Sequence, residues 1–271
     1  MAEFLPEAQI DRDRTTVRYD GEETTIAALP LGVDVEQIES NARETDPRTV
    51  RAITQTDPDQ TLLVGVDRLD YTKGILERLD ALERLWAAQP SLRESVTYVQ
   101  KAEPSRESIP AYQRLQDRVA EAVARINNRF ESQDWQPVTL VTDHLAFETL
   151  CGLYRDADVA LVTPRRDGMN LVAQEYVASQ VEEAGILVLS EFAGVHEHIG
   201  PHALSANPFD RDGLASVIAR AIRMDPAERR ARMHRLRALV DSLSIGDWFD
   251  RVETAARGAT ATPTDTVNLA Q

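Results

Sequence analysis

A chain of 271 residues with 42% hydrophobic residues holds enough apolar material for one large domain or two small ones. No apolar run approaches the roughly 20 residues of a membrane helix. The formal net charge of −15 excludes a basic nucleic-acid-binding surface and leaves any phosphate ligand to local groups rather than to a global field.

Taken in chain order, residues 1–24 are polar and turn-rich, with Asp11-Arg-Asp-Arg14 and Asp20-Gly-Glu-Glu23, and are expected to be a peripheral lead-in. Apolar runs then recur at Thr61–Val66, Val96–Val99, Val138–Val141, Val159–Val162 and Ile186–Leu189. Stripes at helical spacing alternate with them: Ile75, Leu76, Leu79, Leu82, Leu85 and Trp86; then Leu115, Val119, Val123 and Ile126; then Leu214, Val217, Ile218 and Ile222. Buried strands alternating with amphipathic helices predict an α/β fold, a doubly wound parallel sheet with helices on both faces, over residues 25–257. Pro226 opens an Arg-rich helix to about Val240, read as a solvated face. Residues 258–271 lack periodicity and are expected to form a disordered tail.

Cys151 falls in a predicted helix, Phe147–Tyr154, and reads as an inert buried thiol. A single cysteine and no basic-then-apolar leader point to the cytoplasm.

The stretch Thr163-Pro-Arg-Arg-Asp-Gly-Met-Asn-Leu-Val-Ala-Gln-Glu175 follows one of the strands. It reads as strand, sharp turn and helix. Ligands of open α/β sheets bind past the carboxyl ends of the strands, and N–H groups at a helix start suit an anion. Asp167 lies in the turn and Glu175 eight residues on. Two carboxylates flanking an anion site suit a sugar joined to a phosphate joined to a ribose.

A second motif is Val64-Gly-Val-Asp-Arg-Leu-Asp-Tyr-Thr-Lys-Gly74. With a strand ending near Val66 and a helix starting near Gly74, Arg68 and Lys73 fall in a loop at the same sheet edge. A guanidinium and an ammonium there can hold phosphate. In the other reading Arg68 staples the loop through Asp67 or Asp70. Only two of the 30 basic residues are lysines, Lys73 and Lys101, which favours phosphate at Lys73. Arg106, in Pro-Ser-Arg after the Val96–Val99 strand, falls at that edge too. Gly194, after the last of those strands, can let backbone approach a ligand closely. His196, His198 and His202 lack the spacing of a known metal site and read as a polar loop; no metal is expected. Dinucleotide, nucleophile-elbow and CxxC motifs are missing.

Together, Val66-Asp-Arg-Leu-Asp-Tyr-Thr-Lys-Gly74, Arg166-Asp-Gly-Met-Asn-Leu-Val172 and Leu187-Val-Leu-Ser-Glu-Phe-Ala-Gly194 closely resemble the nucleotide-binding half of the trehalose-6-phosphate synthase family. Leu29-Pro-Leu-Gly-Val-Asp34 and Asn207-Pro-Phe-Asp210 extend the resemblance from about residue 3 to 256. It implies one Rossmann-like half of a two-domain retaining glycosyltransferase, moving glucose from UDP-glucose or another nucleotide-glucose to glucose 6-phosphate. It also implies roles. Arg68 and Lys73 would hold the diphosphate and carry catalysis. Asp167, Gly168, Met169, Asn170 and Leu171 would address the donor sugar, Glu175 the ribose, and Arg106 the acceptor phosphate. No cofactor is implied beyond the nucleotide-sugar substrate, and no nucleic-acid or membrane partner.

The sequence departs from the family in three places. The N-terminal domain is missing, so residues 1–24 read as its remnant. Gln174 stands where Lys is frequent, and Val195–His202 is one residue longer. The expected consequence is weak or absent activity alone. A separate N-terminal partner or a homo-oligomer would complete the cleft, against a face including Trp248 and Phe249. Two rivals are a non-catalytic nucleotide-sugar-binding module and a family member with another acceptor, such as glycerol 3-phosphate or a pseudo-sugar.

Overall fold

The structure is a computed structural model that describes residues 6–260 apart from 58 and 107, without the side chains of 258–260. In chain order the elements are β1 (Gln9–Asp11), β2 (Thr16–Tyr19), β3 (Glu22–Thr25), α1 (Val35–Glu44), α2 (Pro47–Thr54), β4 (Thr61–Arg68), α3 (Ile75–Ala88), β5 (Val96–Glu103), α4 (Pro110–Phe130), β6 (Val138–Val141), α5 (Phe147–Asp156), β7 (Val159–Val162), α6 (Leu171–Ser179), β8 (Ile186–Ser190), α7 (His196–Ile199), β9 (Leu204–Ala206), α8 (Arg211–Ile222), α9 (Pro226–Asp241) and α10 (Ile245–Thr260). They form two compact units. One spans Gly32–Ser242; the other combines the chain up to Leu31 with the chain from Leu243.

In the larger unit, β4 to β9 make one sheet in the order β6-β5-β4-β7-β8-β9, and every pairing is parallel. Every residue of β7 and β8 is buried, as a parallel sheet covered on both faces requires. One core packs α3, α4 and α8 against one face through Leu79, Trp86, Ile126 and Ile218. The other packs α1, α5, α6 and α9 against the opposite face through Ile38, Leu153, Tyr176 and Leu236. The sheet is therefore doubly wound. Helix starts are set locally. Asp34, Asp46, Asp210 and Asp225 each accept a backbone N–H in the first turn of α1, α2, α8 and α9, satisfying donors the helix cannot.

Strand order reverses between β4 and β7, so the crevice of this sheet opens at their carboxyl ends. Three strands are longer than their apolar runs, β8 by its final Ser190 and β4 and β5 by more. β4 and β5 stay paired through Asp67↔Ala102 and Arg68↔Glu103, so Arg68 ends a strand instead of lying in the following loop. The sixth strand, β9, has three residues and no apolar run long enough to announce it.

The smaller unit holds an antiparallel sheet, β1-β2-β3, and α10. Trp248 Nε1 donates to the Leu29 carbonyl at 3.2 Å and Arg251 to that of Pro30 at 3.1 Å. Trp248 is thus half-buried within its own unit, while Phe249 is exposed. α10 carries the backbone on to Thr260; residues 261–271, the rest of the expected tail, lie outside the described residues. Among the described residues no helix is long and apolar enough to cross a membrane.

Under the crevice lies a buried polar hub. Arg78 of α3 has no exposed surface. Its guanidinium donates to Asp67 Oδ2 at 2.8 Å, Tyr98 OH at 3.1 Å, Gln100 Oε1 at 3.0 Å and Thr163 Oγ1 at 3.0 Å. Those partners come from β4, β5 and the end of β7. Gly65 makes the room, since a Cβ there would overlap the Tyr98 hydroxyl and the Arg78 guanidinium. Removing one partner of a buried pair strands the other charge, at a cost of about 3–5 kcal/mol. Arg78→Leu is therefore expected to destabilise by that amount in urea unfolding, and the double variant Arg78→Leu/Asp67→Leu by less than Arg78→Leu alone.

Candidate functional site

Alternation along β4 and β5 sorts their polar residues. Gly65 and Asp67 face α3 and Arg78, so Val66 and Arg68 face the side of α5 and α6. This explains why the loop-staple reading of Arg68 fails. Asp67 points to the opposite face and is taken by Arg78. Asp70 accepts from Thr72 N and Oγ1, each at 3.0 Å, and from Tyr112 OH at 3.3 Å. Arg68 itself is exposed, and no ion pair to it is found among the described residues.

Arg68 lines a cavity of about 230 Å³ at the carboxyl edge of the sheet. Lys73 and Glu175 line it as well, together with Lys101, His144, Leu145 and Tyr154. The three residues expected at diphosphate and ribose thus share one wall. Glu175 accepts from Tyr154 OH at 3.3 Å. Burial raises its pKa, and the tyrosine hydroxyl opposes the rise.

Asp167 stands at the same edge and is already engaged. Lys73 Nζ donates to its Oδ2 at 2.6 Å and Asn170 Nδ2 at 3.1 Å. Two groups expected to meet different parts of a ligand therefore meet each other. Asn170, at φ 82°, is the N-cap of α6 and accepts from Ala173 N at 3.0 Å. Leu171 and Val172 open α6, and Val172 lines the cavity. A helix start of this kind takes an anion.

Three loops are clasped to hold this geometry. Arg165 N donates to Thr72 O at 2.7 Å, and Gly74, at φ 69°, packs where a Cβ would overlap the Thr163 carbonyl. On the other side, Asp167 N donates to Phe192 O at 3.1 Å, Gly194 N to Asp167 O at 3.0 Å and Val195 N to Met169 O at 2.9 Å. A Cβ on Gly194 would overlap the Gly168 carbonyl. The close approach Gly194 permits here is between two protein loops. Gly168 is exposed, and a Cβ there meets open space.

Arg106 is not among the residues lining the cavity. Its Nη1 donates to Tyr112 OH at 2.8 Å, with the guanidinium over that ring. The same Tyr112 hydroxyl donates to Asp70 Oδ2 at 3.3 Å. His196 pairs with Ser205 Oγ at 2.8 Å, and no cluster of three or more metal-ligating side chains occurs among the described residues. Cys151 is buried, and burial pushes its thiol up to about 11, which disfavours the thiolate.

Reasoning from sequence passed over Arg78, Tyr154 and Lys101 as site residues. Arg78 interrupts the apolar stripe of α3, a polar residue at a core position. Lys101 carries the scarcity signal that favoured Lys73.

Inserting a methyl group into a tight contact costs about 1–3 kcal/mol. Gly194→Ala is expected to lower stability by that amount in urea unfolding, whereas Gly168→Ala stays within about 0.5 kcal/mol of the parent.

Residues 1–257 match glycosyltransferase family 20. The trehalose-6-phosphate synthase of Sodalis glossinidius is 37% identical over 239 residues, covering 88% of this chain and 50% of that protein. The alpha,alpha-trehalose-phosphate synthase (UDP-forming) of Burkholderia xenovorans, solved in complex with glucose-6-phosphate, superposes with a TM-score of 0.85 at 38% identity, over 90% of this chain and 54% of that one. The E. coli protein solved with UDP-2-fluoro glucose gives a TM-score of 0.88 at 31% identity, over 95% and 56%. The chain spans about half the length of the curated relatives it matches. It belongs to glycosyltransferase family 20.

Proposed function

We propose that this chain forms the donor side of a retaining glycosyltransferase that moves glucose from UDP-glucose, or another nucleotide-glucose, to glucose 6-phosphate. The observation that carries the reading is the single cavity lined by Arg68, Lys73 and Glu175, beside Asp167 and the N-terminus of α6. Each of these groups suits one part of a nucleotide sugar. Asp167 and the 168–171 turn take the sugar, Arg68 and Lys73 the diphosphate, and Glu175 the ribose diol. Similarity to proteins solved with glucose-6-phosphate and with UDP-2-fluoro glucose supports the substrate pair.

In the proposed reaction the acceptor's anomeric hydroxyl oxygen bonds to C1 of the donor glucose. The bond from C1 to the β-phosphate oxygen breaks on the same face, and that phosphate takes the hydroxyl proton as the nucleoside diphosphate leaves. No protein nucleophile is needed. Charge grows on the departing phosphate, where Arg68, Lys73 and the N–H groups of the α6 start would stabilise it. Lys73 reaches that phosphate by exchanging its bond to Asp167, whose carboxylate then turns to the sugar hydroxyls.

A second reading, a donor-binding module that acts with a further protein part, is favoured by one observation. The acceptor side is represented by Arg106, which lies off the cavity. Holding both reactants in register supplies about 7–11 kcal/mol of a barrier. The 271-residue chain incubated with UDP-glucose and glucose 6-phosphate is therefore expected to bind donor but release little UDP. Robust turnover would remove this second reading.

Calorimetry tests the donor assignment. A charge-assisted hydrogen bond is worth about 1.5–3 kcal/mol, so Arg68→Ala is expected to weaken UDP about tenfold or more. Glu175→Gln should weaken uridine and UDP alike. Asp167→Asn should weaken UDP-glucose without weakening UDP, because it also releases Lys73. Equal UDP affinity in the parent and in Arg68→Ala would sink the assignment.

A further inference from the structure

Lys101 is the unusual group in the cavity wall. It lies in β5 opposite Val66 of β4 and Val141 of β6, on the face that carries Arg68. Only 3% of the residue is exposed, and Nζ is buried without a hydrogen-bond partner. No carboxylate among the described residues forms an ion pair with it, although Glu103 and Asp143 are near enough to act on its charge. Burial holds its pKa below the ordinary lysine value, against the pull of those two carboxylates. An ammonium has three donors and no acceptor, and leaving one unmet in a protein interior is costly. The chain has one other lysine, Lys73, and it lines the same cavity.

Position decides what Lys101 would meet. Across the sheet edge the groups run from Asp167 after β7, to Arg68 at the end of β4, to Lys101 and Glu103 in β5, to His144 after β6. The inference rests on the donor reading above, in which sugar lies at Asp167, diphosphate at Arg68 and Lys73, and ribose at Glu175. What continues past the ribose, away from Asp167, is the nucleobase. The lining at that end is Lys101, Glu103, His144 and Leu145. A phosphate partner for Lys101 is disfavoured, because the charges acting on it are carboxylates on the β5 and β6 side, away from the switch point.

We propose that Lys101 reads the nucleobase, its ammonium donating to the exocyclic keto oxygen of uracil or guanine and rejecting the exocyclic amino group of cytosine or adenine at the same place. Uracil and guanine present an oxygen acceptor at that position, whereas cytosine and adenine present an N–H₂ donor. A donor-only ammonium facing an N–H₂ group gains nothing and stays desolvated. The four-carbon stem lies in the cavity wall, and its rotatable bonds bring Nζ to the base edge when the ligand arrives.

UDP and CDP make the sharpest probe, since the bases differ only at position 4 and at the adjoining N3. Binding of both to the 271-residue chain is measured by calorimetry for the parent, Lys101→Met and Lys101→Gln. The parent is expected to prefer UDP over CDP by about tenfold or more, the value of one charge-assisted bond. Lys101→Met, which keeps the unbranched stem, should weaken UDP and bring the two affinities within about threefold, while the ligand-free variant melts at a higher temperature than the parent because an unmet buried charge is gone. Lys101→Gln, whose amide suits either base, should also lose the preference, and it serves if the Met variant does not fold. An unchanged UDP-to-CDP ratio in the folded variants overturns the role of Lys101 and leaves the donor reading standing. A parent chain that binds neither nucleotide overturns both.

Discussion

A fully buried guanidinium has few places it can be. Arg78 must have its N–H groups met, and the groups that meet them are Asp67 on β4, Tyr98 and Gln100 on β5, and Thr163 at the end of β7. Those strands border the switch point of the sheet, so a single side chain fixes the spacing of the strand ends from which the site is built. Gln100 closes the network by donating to Gly65 O and Asp67 Oδ2, leaving the carboxylate with two partners. Arg78 Nη2 also points at the Lys73 carbonyl, at 3.4 Å, and so touches the loop that carries the site lysine. A hub of this kind contributes little net stability compared with an apolar core. Its value lies in the direction it imposes on backbone that would otherwise be free.

The same alternation that sends Asp67 to the hub sends Arg68 to the cavity. A shift of one residue in the β4–β5 pairing would exchange the two, burying an unpaired arginine and exposing the hub's carboxylate. Register is therefore specified twice: by the apolar residues Leu63 and Val64 on opposite faces, and by charges that tolerate only one side. In a chain of net charge −15, this is how three cations come to line one cavity beside Glu103 and Glu175. Arg68, Lys73 and Lys101 gather at one edge, while Asp67 is neutralised by Arg78 and Asp167 by Lys73.

Much of this was legible in the sequence because it rests on periodicity. The five long apolar runs and the stripes at 3.6-residue spacing became strands and helices, and the parallel arrangement followed from their alternation. β9 was hidden because three residues carry no period, and α1 and α2 because each buries a narrow stripe beneath a polar face. The end of β4 was misplaced for a different reason. Apolar character stops at Val66, but backbone pairing with β5 continues through Arg68, and composition does not report backbone pairing. The site was partly legible, since Arg68, Lys73, Asp167 and Glu175 were placed at one edge by the rule that loops at strand carboxyl ends converge. Gly194 was assigned to a ligand because a glycine after a strand signals close approach without saying to what. Arg106 sits beside Tyr112 because its guanidinium finds a hydroxyl and an aromatic face there, a tertiary contact that no local pattern contains.

The Lys73–Asp167 pair shows why a carboxylate and a cation can share a site without cancelling it. Each side chain is under a fifth exposed, so neither can be left alone cheaply, and each meets the other's charge. A ligand carrying both phosphate and hydroxyl groups offers each partner a replacement at once: oxygen anions for the ammonium and hydroxyl donors for the carboxylate. A ligand with phosphate alone would draw Lys73 away and leave Asp167 with Asn170 as its remaining donor. In the proposed donor site the pair would therefore favour the whole nucleotide sugar over its nucleotide fragment, through a cost to the fragment and not through any added contact with the sugar. Discrimination of that sort follows from the expense of an unmet charge, the same constraint that fixes Arg78 beneath it.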